Sequence, residues 1–237
     1  MNRAGAIATL GALVLPATSA VPVLMYHTVN ETVPHNPVAL SLTLPTQRFA
    51  DQLRYLAAHR IATLTAGGLV EALAREERPR GVVLTFDDGY ADMARTVAPL
   101  LARYRMRATF FVNSGSIGTH NHLTWRELRA LHAAGNEIGA HGAHHLDLTT
   151  LDRAGQVREI GGCIAKLEQY ARVRPVSYCY ASGEYNATTL ALLPTFGIRS
   201  AWTERNGRVH DLSRPYELPR LRIARETTLE QFAALVS

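Results

Sequence analysis

The sequence predicts a single α/β domain whose parallel strands close, or nearly close, into a barrel. Three observations support this. The chain of 237 residues suits one domain, 47% of its residues are hydrophobic, and strand-like and helix-like segments alternate throughout. Such alternation predicts parallel strands joined by helices, and about seven units favour a barrel over an open sheet. No internal repeat or linker interrupts the pattern, so we expect one domain over residues 21–237.

The segment 81–86, with the sequence GVVLTF, is apolar without alternation, which is typical of a strand buried on both faces. The predicted strands cover residues 21–26, 61–65, 81–86, 108–112, 137–141, 176–180, 198–203 and 218–223.

The predicted helices rest on capping residues and on the apolar period. Thr46 can cap a helix that carries Phe49 and Leu53 on one face, and Gly135 ends a later helix. Residues 30–44 are rich in Pro, Thr and Asn and predict a loop. The predicted helices cover residues 46–59, 68–75, 90–104, 125–134, 151–170, 188–193 and 228–236.

Composition and charge exclude several classes of protein. The chain has 25 basic and 20 acidic side chains, a net charge of +5, and its basic residues are scattered. This distribution predicts a mildly cationic surface and no nucleic-acid partner. Two cysteines, Cys163 and Cys179, are too few for a disulfide framework or a cysteine-type zinc site. The composition also excludes a collagen, a coiled coil and a multi-span membrane protein.

The first twenty residues have the pattern of a secretory signal. Arg3 precedes an apolar stretch over residues 4–15, and small residues at 18–20 are typical of a cleavage site. The stretch is too short for a membrane-spanning helix. We therefore expect an exported protein, periplasmic, secreted or at the cell surface, with no membrane span in its mature chain. The alternative is a cytoplasmic protein that keeps an N-terminal helix.

Ionisable side chains collect where the predicted strands end, and βα barrels place their chemistry there. His27 follows the first strand, Asp87 and Asp88 follow the third, and His141 ends the fifth with His145 four residues later. Two imidazoles and a carboxylate are typical of a catalytic metal site with open positions. Taken singly, each has a structural explanation, since Asp-Asp-Gly is ordinary turn chemistry and paired histidines occur by chance.

If a helical turn begins at His141, it shares one face with His145, and both can bind one metal ion together with Asp88. A tighter turn would put His144 in place of His145. Asp87 is then free to take a proton from water, because adjacent carboxylates at a strand end point in different directions. We predict one divalent ion, Zn²⁺ by its ligands, although Co²⁺, Ni²⁺ and Fe²⁺ suit the same donors.

Several segments resemble the polysaccharide deacetylases, carbohydrate esterase family 4, with their NodB-type domain. They are TFDDGY at 85–90, ATFFV at 108–112, LTW at 123–125, GNEIGAH at 135–141 followed by His145, and YASGEYN at 180–186. The resemblance implies a deformed (β/α)7–8 barrel that removes acetyl groups from an N-acetylated polysaccharide with a divalent metal ion. Residue by residue, it implies Asp87 as the catalytic base and Asp88, His141 and His145 as the metal ligands.

The segment VLMYH at 23–27 resembles a branch of this family whose motifs are circularly permuted, so that the catalytic acid comes first. That branch includes exported deacetylases of poly-β-1,6-N-acetylglucosamine. The resemblance implies His27 as the acid that protonates the leaving amine. The alternatives are a core or capping role for His27 and an acid at His210. Arg220, in the sequence LPR, resembles a residue that steadies the base.

Three positions depart from the motifs of the family. Gly142 stands where Ser or Thr is usual, Cys179 where many members have Arg, and Ala181 where Pro is usual. Loss of that proline frees a backbone N–H and loosens the turn. These departures leave open an inactive member that only binds carbohydrate.

The remaining predictions concern the substrate. A backbone N–H of the Tyr180–Ala181 region is expected to hold the oxyanion. Trp125 and Tyr185 can line a sugar groove, although core packing also explains Trp125. Chitin oligomers, peptidoglycan and a small amide are alternative substrates, and we expect a monomer.

Overall fold

A computed structural model describes residues 18–237, and its centre is a closed barrel of parallel strands. Seven strands form the ring in the order β2-β12-β10-β9-β8-β7-β6, and β6 pairs with β2 to close it. This confirms the predicted deformed barrel. In chain order the strands are β1 (Thr18–Ser19), β2 (Val23–Tyr26), β3 (Thr28–Val29), β4 (Thr43–Leu44), β5 (Thr63–Leu64), β6 (Val82–Phe86), β7 (Thr109–Val112), β8 (Glu137–Ala140), β9 (Ser177–Cys179), β10 (Ser200–Asn206), β11 (His210–Asp211) and β12 (Leu218–Arg222).

Helices connect the strands and cover the outside of the barrel. The α-helices are α1 (Pro37–Ser41), α2 (Thr46–Ala58), α3 (Ala66–Ala74), α4 (Ala98–Arg103), α5 (Trp125–Ala133), α6 (Arg153–Lys166), α7 (Ala187–Leu192) and α8 (Leu229–Val236). π-Helical turns precede α4 and follow α6, at Met93–Val97 and Leu167–Ala171. Short 3₁₀ turns lie at Leu148–Thr150, Ala181–Gly183 and Leu193–Phe196.

Alternate residues of each barrel strand point inward, and this parity decides which side chains reach the mouth of the barrel. The inward residues form one apolar cluster, which includes Val23, Val83, Phe111, Cys179 and Leu218. Helix α3 adds Leu69 and Leu73 to that cluster and so covers the amino end of the barrel. Steps of two along β6 and β12 put Thr85, Asp87 and Arg220 on the inward side as well.

The first and last strands of the barrel are neighbours, as the circularly permuted arrangement predicts. β2 and β12 pair in parallel, with Leu24 opposite Leu221 and Met25 opposite Arg222. A residue that follows β2 therefore lies at the same mouth as the carboxyl end of β12.

The prediction of a loop over residues 30–44 is wrong in part. Asn36 caps α1 by accepting hydrogen bonds from the amides of Val38 and Ala39, and Pro37 occupies its first position. β4 then pairs with β3. Only one helical turn follows the Asn-Pro pair, and a single turn is too short to show an apolar period.

Several predicted helix boundaries also shift, and capping contacts explain two of the shifts. Thr46 does not cap α2, since the cap position is Pro45 and the amide of Thr46 donates to Glu31 Oε1 at 2.9 Å. The long helix predicted from residue 151 begins after Asp152, whose carboxylate accepts from the Gly155 amide at 2.6 Å. The predicted apolar face of α2 is confirmed, and its buried residues include Phe49, Leu53 and Leu56.

The predicted signal segment, residues 1–20, lies outside the described residues except for its last three. Ser19 pairs there with His210 in a short antiparallel ladder. Among the helices of residues 18–237, none is long and apolar enough to cross a membrane. Export and cleavage stay predictions.

Candidate active site

The carboxyl end of the barrel brings together the ionisable residues that the sequence places after its strands. Asp87 and Asp88 follow β6, His141 follows β8, and His27 follows β2. Asp87, His27 and His141 are buried, whereas the side chain of Asp88 is 14% exposed. The site therefore combines charges held inside the barrel with a group that reaches its surface.

Asp88, His141 and His145, here called the metal cluster, have the geometry of a cation site. Asp88 Oδ1 lies 3.3 Å from Nε2 of His141 and 3.3 Å from Nε2 of His145. That oxygen is buried and has no hydrogen-bond partner within the described chain. Burial opposes the ionisation of Asp88, but the two imidazoles hold its pKa below the usual range. One carboxylate oxygen and two imidazole nitrogens suit a divalent ion such as Zn²⁺.

The two histidines converge through a loop and not through the helical turn that their spacing predicts. Residues 141–145 contain no helix. Gly142 and His145 adopt φ values of +80° and +58°, which turn the chain back so that both Nε2 atoms face Asp88. Asp88 itself has φ +77°. Left-handed backbone costs a non-glycine residue about 1–2 kcal/mol, so tertiary contacts must hold these ligands in place.

Neighbouring groups decide which nitrogen each histidine presents. His141 Nδ1–H donates to the carbonyl oxygen of Cys179 at 2.8 Å, which leaves the Nε2 lone pair for the metal cluster. His144 has its Nδ1 3.0 Å from Glu159 Oε2, and its side chain is 64% exposed. His144 therefore does not take the place of the predicted ligand.

Asp87 is held by a buried arginine from the last strand of the barrel. Arg220 Nη1 and Nη2 donate to its two oxygens at 2.8 and 2.7 Å, and neither side chain is more than 1% exposed. The guanidinium also donates to Thr85 Oγ1 and to the Thr203 carbonyl oxygen, each at 3.0 Å. Burial opposes the ionisation of Asp87, but Arg220 holds its pKa below the usual range. Asp87 is thus a charged carboxylate with a fixed orientation.

Cys179 fills the space beside this ion pair. Its Sγ lies 3.1 Å from Arg220 Nη2 and 3.6 Å from Asp87 Oδ2, and burial raises the pKa of the thiol. Many family members have Arg at the position of Cys179, whereas in this chain the guanidinium comes from Arg220. The structure places Arg220 where the resemblance implies, and its effect on the reaction stays a prediction.

His27 lies at the end of β2, beside β6. It is 7% exposed, and burial lowers its pKa against the opposing attraction of Asp87 and Asp88. Together with Tyr90 and Asp92, it lines a cavity of about 440 Å³. A cavity of this size is sufficient for a sugar ring beside the imidazole.

Two alternatives are corrected by backbone contacts. The Tyr180 amide donates to the Trp202 carbonyl oxygen at 3.2 Å, so in this region the Ala181 amide remains the candidate for an oxyanion. His210 is fully buried with Nε2 3.0 Å from the Pro219 carbonyl oxygen, so it cannot meet a substrate as the acid.

The two predicted groove residues have different surroundings. The Tyr185 ring stacks on Tyr180 with centroids 4.6 Å apart, and its hydroxyl donates to Glu217 Oε1 at 2.9 Å. The Trp125 ring lies 5.2 Å from that of Tyr170. The contacts of Trp125 are those of helix packing, the alternative that the sequence leaves open.

Glu159 is a residue of the site that sequence reasoning missed. It lies on α6 and is 3% exposed, and its carboxylate accepts from the His144 amide at 2.5 Å. The sequence did contain a signal for it. Glu159 lies one turn before Cys163 on the buried face of α6. Because glutamate is rarely buried without partners, a role for it could have been expected.

A family model described as polysaccharide deacetylase matches residues 74–201 of this sequence, more than half of the chain. The chain belongs to the polysaccharide deacetylase family. Members of this family are hydrolases that remove acetyl groups from carbohydrates. The matched residues include the metal cluster and Asp87, whereas His27 and Arg220 lie outside them.

Relatives and solved structures agree with this membership. YxkH of Bacillus subtilis (strain 168), named as a polysaccharide deacetylase, is 28% identical over 217 residues, 91% of this chain and 75% of the relative. A chitooligosaccharide deacetylase of Rhizobium leguminosarum bv. trifolii is 31% identical over 137 residues, 57% of this chain and 61% of its own. The structure is similar to the Streptococcus pyogenes deacetylase PplD in complex with acetate, with a TM-score of 0.85 and 25% identity, covering 94% of this chain and 99% of that one.

IcaB from Ammonifex degensii has the same fold, with a TM-score of 0.78 and 22% identity over 92% of this chain and 97% of its own.

Proposed function

We propose that this family member is a metal-dependent hydrolase that removes N-acetyl groups from a polysaccharide containing N-acetylglucosamine. The observation that carries the proposal is the position of Asp87, ionised and fixed by Arg220, next to the metal cluster at the mouth of the barrel. Amide hydrolysis needs a polarised carbonyl and a base for water, and these two neighbouring groups match those needs.

The metal cluster would hold one divalent ion through Asp88 Oδ1 and the Nε2 atoms of His141 and His145. When bound, such an ion supplies Lewis-acid chemistry toward the acetamide carbonyl and makes water more acidic. The donor set favours Zn²⁺, and Co²⁺, Ni²⁺ and Fe²⁺ suit the same three atoms. The side chain of His145 is 41% exposed, so the cluster is open to substrate.

Asp87 is assigned as the base. It takes one proton from the attacking water while the new C–O bond forms. Arg220 holds both carboxylate oxygens, which keeps Asp87 charged and prevents it from rotating away from the water. The Ala181 amide is assigned to the oxygen that becomes negative in the tetrahedral state.

His27 is assigned as the acid. It donates a proton to the amide nitrogen while the C–N bond breaks, and the products are acetate and a free amine on the sugar. Solvent returns a proton to His27 and removes the one on Asp87. The cavity beside His27 would then hold a part of the polysaccharide next to the reacting group, because the metal cluster does not line it.

The substrate is assigned from the relatives and from the predicted signal. A chitooligosaccharide deacetylase and two chitin deacetylases are among the related proteins, and their names refer to N-acetylglucosamine chains. The predicted signal would place the reaction outside the cytoplasm, where such polymers occur as extracellular material.

The experiment is acetate release from β-1,6-linked and β-1,4-linked N-acetylglucosamine polymers by the Zn²⁺-loaded protein and its His27→Ala variant. We expect activity on the β-1,6 polymer, because the segment at 23–27 resembles the permuted branch that acts on it, and we expect this activity to be lost in His27→Ala.

Other results change the proposal in different ways. Activity that survives His27→Ala would remove His27 as the acid. Activity confined to chitin oligomers or peptidoglycan would change the substrate and keep the chemistry. Absence of acetate from every polymer, with one ion bound per chain, would overturn the proposed reaction and favour a carbohydrate-binding role.

A further inference from the structure

One buried carboxylate binds the loop that joins the two histidines of the metal cluster. Glu159 Oε1 accepts from the His144 amide at 2.5 Å and lies 3.5 Å from the Leu146 amide. Its Oε2 lies 3.0 Å from His144 Nδ1, and its backbone carbonyl accepts from the Ala143 amide at 3.0 Å. Three amides between residues 143 and 146 therefore point toward Glu159.

The other edge of this loop is bound to the segment after β7. The amides of Ser114 and Gly115 donate to the carbonyl oxygens of Gly142 and Ala143, at 3.2 and 2.7 Å. These bonds fix the first half of the loop. The second half, which leads into His145, depends on the carboxylate of Glu159.

The Glu159 carboxylate fills the space that a side chain at position 142 would need. A Cβ atom added at Gly142 would lie 2.9 Å from Glu159 Oε1 and 3.4 Å from the hydroxyl oxygen of Tyr178. The polysaccharide deacetylases usually have Ser or Thr at this position. In this chain, the place of that side chain is taken by a carboxylate that reaches in from α6.

We propose that Glu159 is a positioning residue that holds His145 on the metal cluster in place of the usual motif hydroxyl. His145 needs such support because its backbone has φ +58° and its side chain is 41% exposed. Its ring contacts that of His141, with centroids 5.0 Å apart, which by itself does not fix the backbone. Hydrogen bonds from backbone amides to a charged carboxylate are strong enough to hold a strained turn.

The inference rests on the proposed function, because it takes His145 as a metal ligand. The test is the Zn²⁺ dissociation constant, measured by titration calorimetry on the full chain and independent of activity. Glu159→Ala should weaken binding by about 10–100-fold, the usual effect of removing a group that orients a metal ligand. Glu159→Gln keeps one oxygen acceptor but turns an NH₂ group toward a donor, so its loss should be intermediate.

Glu168→Ala is the matched control. Glu168 lies further along the same helical segment, 45% exposed and 3.5 Å from Arg174, so its removal should leave Zn²⁺ binding unchanged. Thermal unfolding of the metal-free proteins separates positioning from folding. If Glu159→Ala does not fold, the graded loss in Glu159→Gln decides the question.

The outcomes distinguish the two proposals. A wild-type chain that binds no Zn²⁺ overturns the proposed metal chemistry, and this inference with it. A wild-type chain that binds Zn²⁺, with the same dissociation constant in folded Glu159→Ala and Glu159→Gln, overturns the role of Glu159 alone.

Discussion

Asp87 and Asp88 are adjacent in sequence, yet the two halves of the site to which they belong are built differently. Asp87 is held by residues of the strands: Arg220 on β12 and Thr85 on β6 complete a network that solvent does not reach. Asp88 and His145 lie on loops with positive φ, at the surface of the barrel mouth. The strands hold a buried charge in a fixed orientation, whereas the loops place ligands that an ion must reach from solvent.

The largest expected effect of breaking this arrangement is on the base. Asp87→Asn keeps the shape of the side chain but cannot take a proton, so acetate release should fall by about 10²–10⁴-fold. Zn²⁺ binding should persist, because the loop-built half is untouched. Asp51→Asn, at a surface ion pair, is the control and should keep the wild-type rate. A wild-type rate in Asp87→Asn would remove Asp87 from the reaction.

The next effect is on stability and concerns the half of the site that the strands hold, where the Arg220–Asp87 pair is buried. Arg220→Met leaves a buried carboxylate without its partner, so the free energy of unfolding should fall by about 3–5 kcal/mol. Arg54→Met breaks an exposed pair with Asp51 and should cost less than about 1 kcal/mol. Urea unfolding of both variants measures the contrast. Equal losses of unfolding free energy in the two variants would show that burial of the Arg220–Asp87 pair adds nothing to stability.

Metal removal tests the half of the site that lies on loops, with Asp88 and His145. A ligand at about 100 times its dissociation constant stabilises the folded state by about 2.7 kcal/mol, so a chelator should lower the melting temperature of Zn²⁺-loaded wild type by several degrees. His145→Ala removes a half-exposed side chain, and its metal-free form should melt close to wild type without gaining from Zn²⁺. Stabilisation of His145→Ala by Zn²⁺ that equals that of wild type would exclude this histidine as a ligand.

The smallest effect concerns pH. Burial lowers the pKa of His27 in the folded state, so the unfolded chain binds more protons between the folded and unfolded values. The contribution of His27 to the stability of the metal-free protein is then complete above about pH 6.5 and is lost as the pH falls through the folded pKa of His27. His27→Gln should flatten this dependence, measured by urea unfolding between about pH 5 and pH 8. Parallel curves of unfolding free energy against pH for wild type and His27→Gln would show that burial does not lower the pKa of His27.

The barrel and the strand-end residues could be predicted from the sequence because both depend on local rules. Apolar runs mark buried parallel strands, and the residue after such a strand lies at the carboxyl end of the sheet. His27, Asp87, Asp88 and His141 all follow from that rule. The neighbouring positions of the first and last strands follow from closing the sheet.

The loop between His141 and His145 could not be predicted, because a spacing of four also fits a helix. The positive φ of His145 is supported by Glu159, whose carboxylate contacts the amides of His144 and Leu146, 13–15 residues away in the chain. The contact of Arg220 with Asp87 spans 133 residues, and only the family resemblance indicated it.

The pairing of β2 with β12 also determines when Asp87 gains its partner Arg220 during synthesis. Residue 87 leaves the ribosome long before residue 220, and the ring cannot close until β12 fits between β2 and β10. Until then, Arg220 cannot hold the Asp87 carboxylate. Contacts of such high sequence separation form slowly. A nascent chain released before β12 would carry the three residues of the metal cluster and an untethered base, so sealing the barrel and assembling the proposed catalytic apparatus are a single, late folding event.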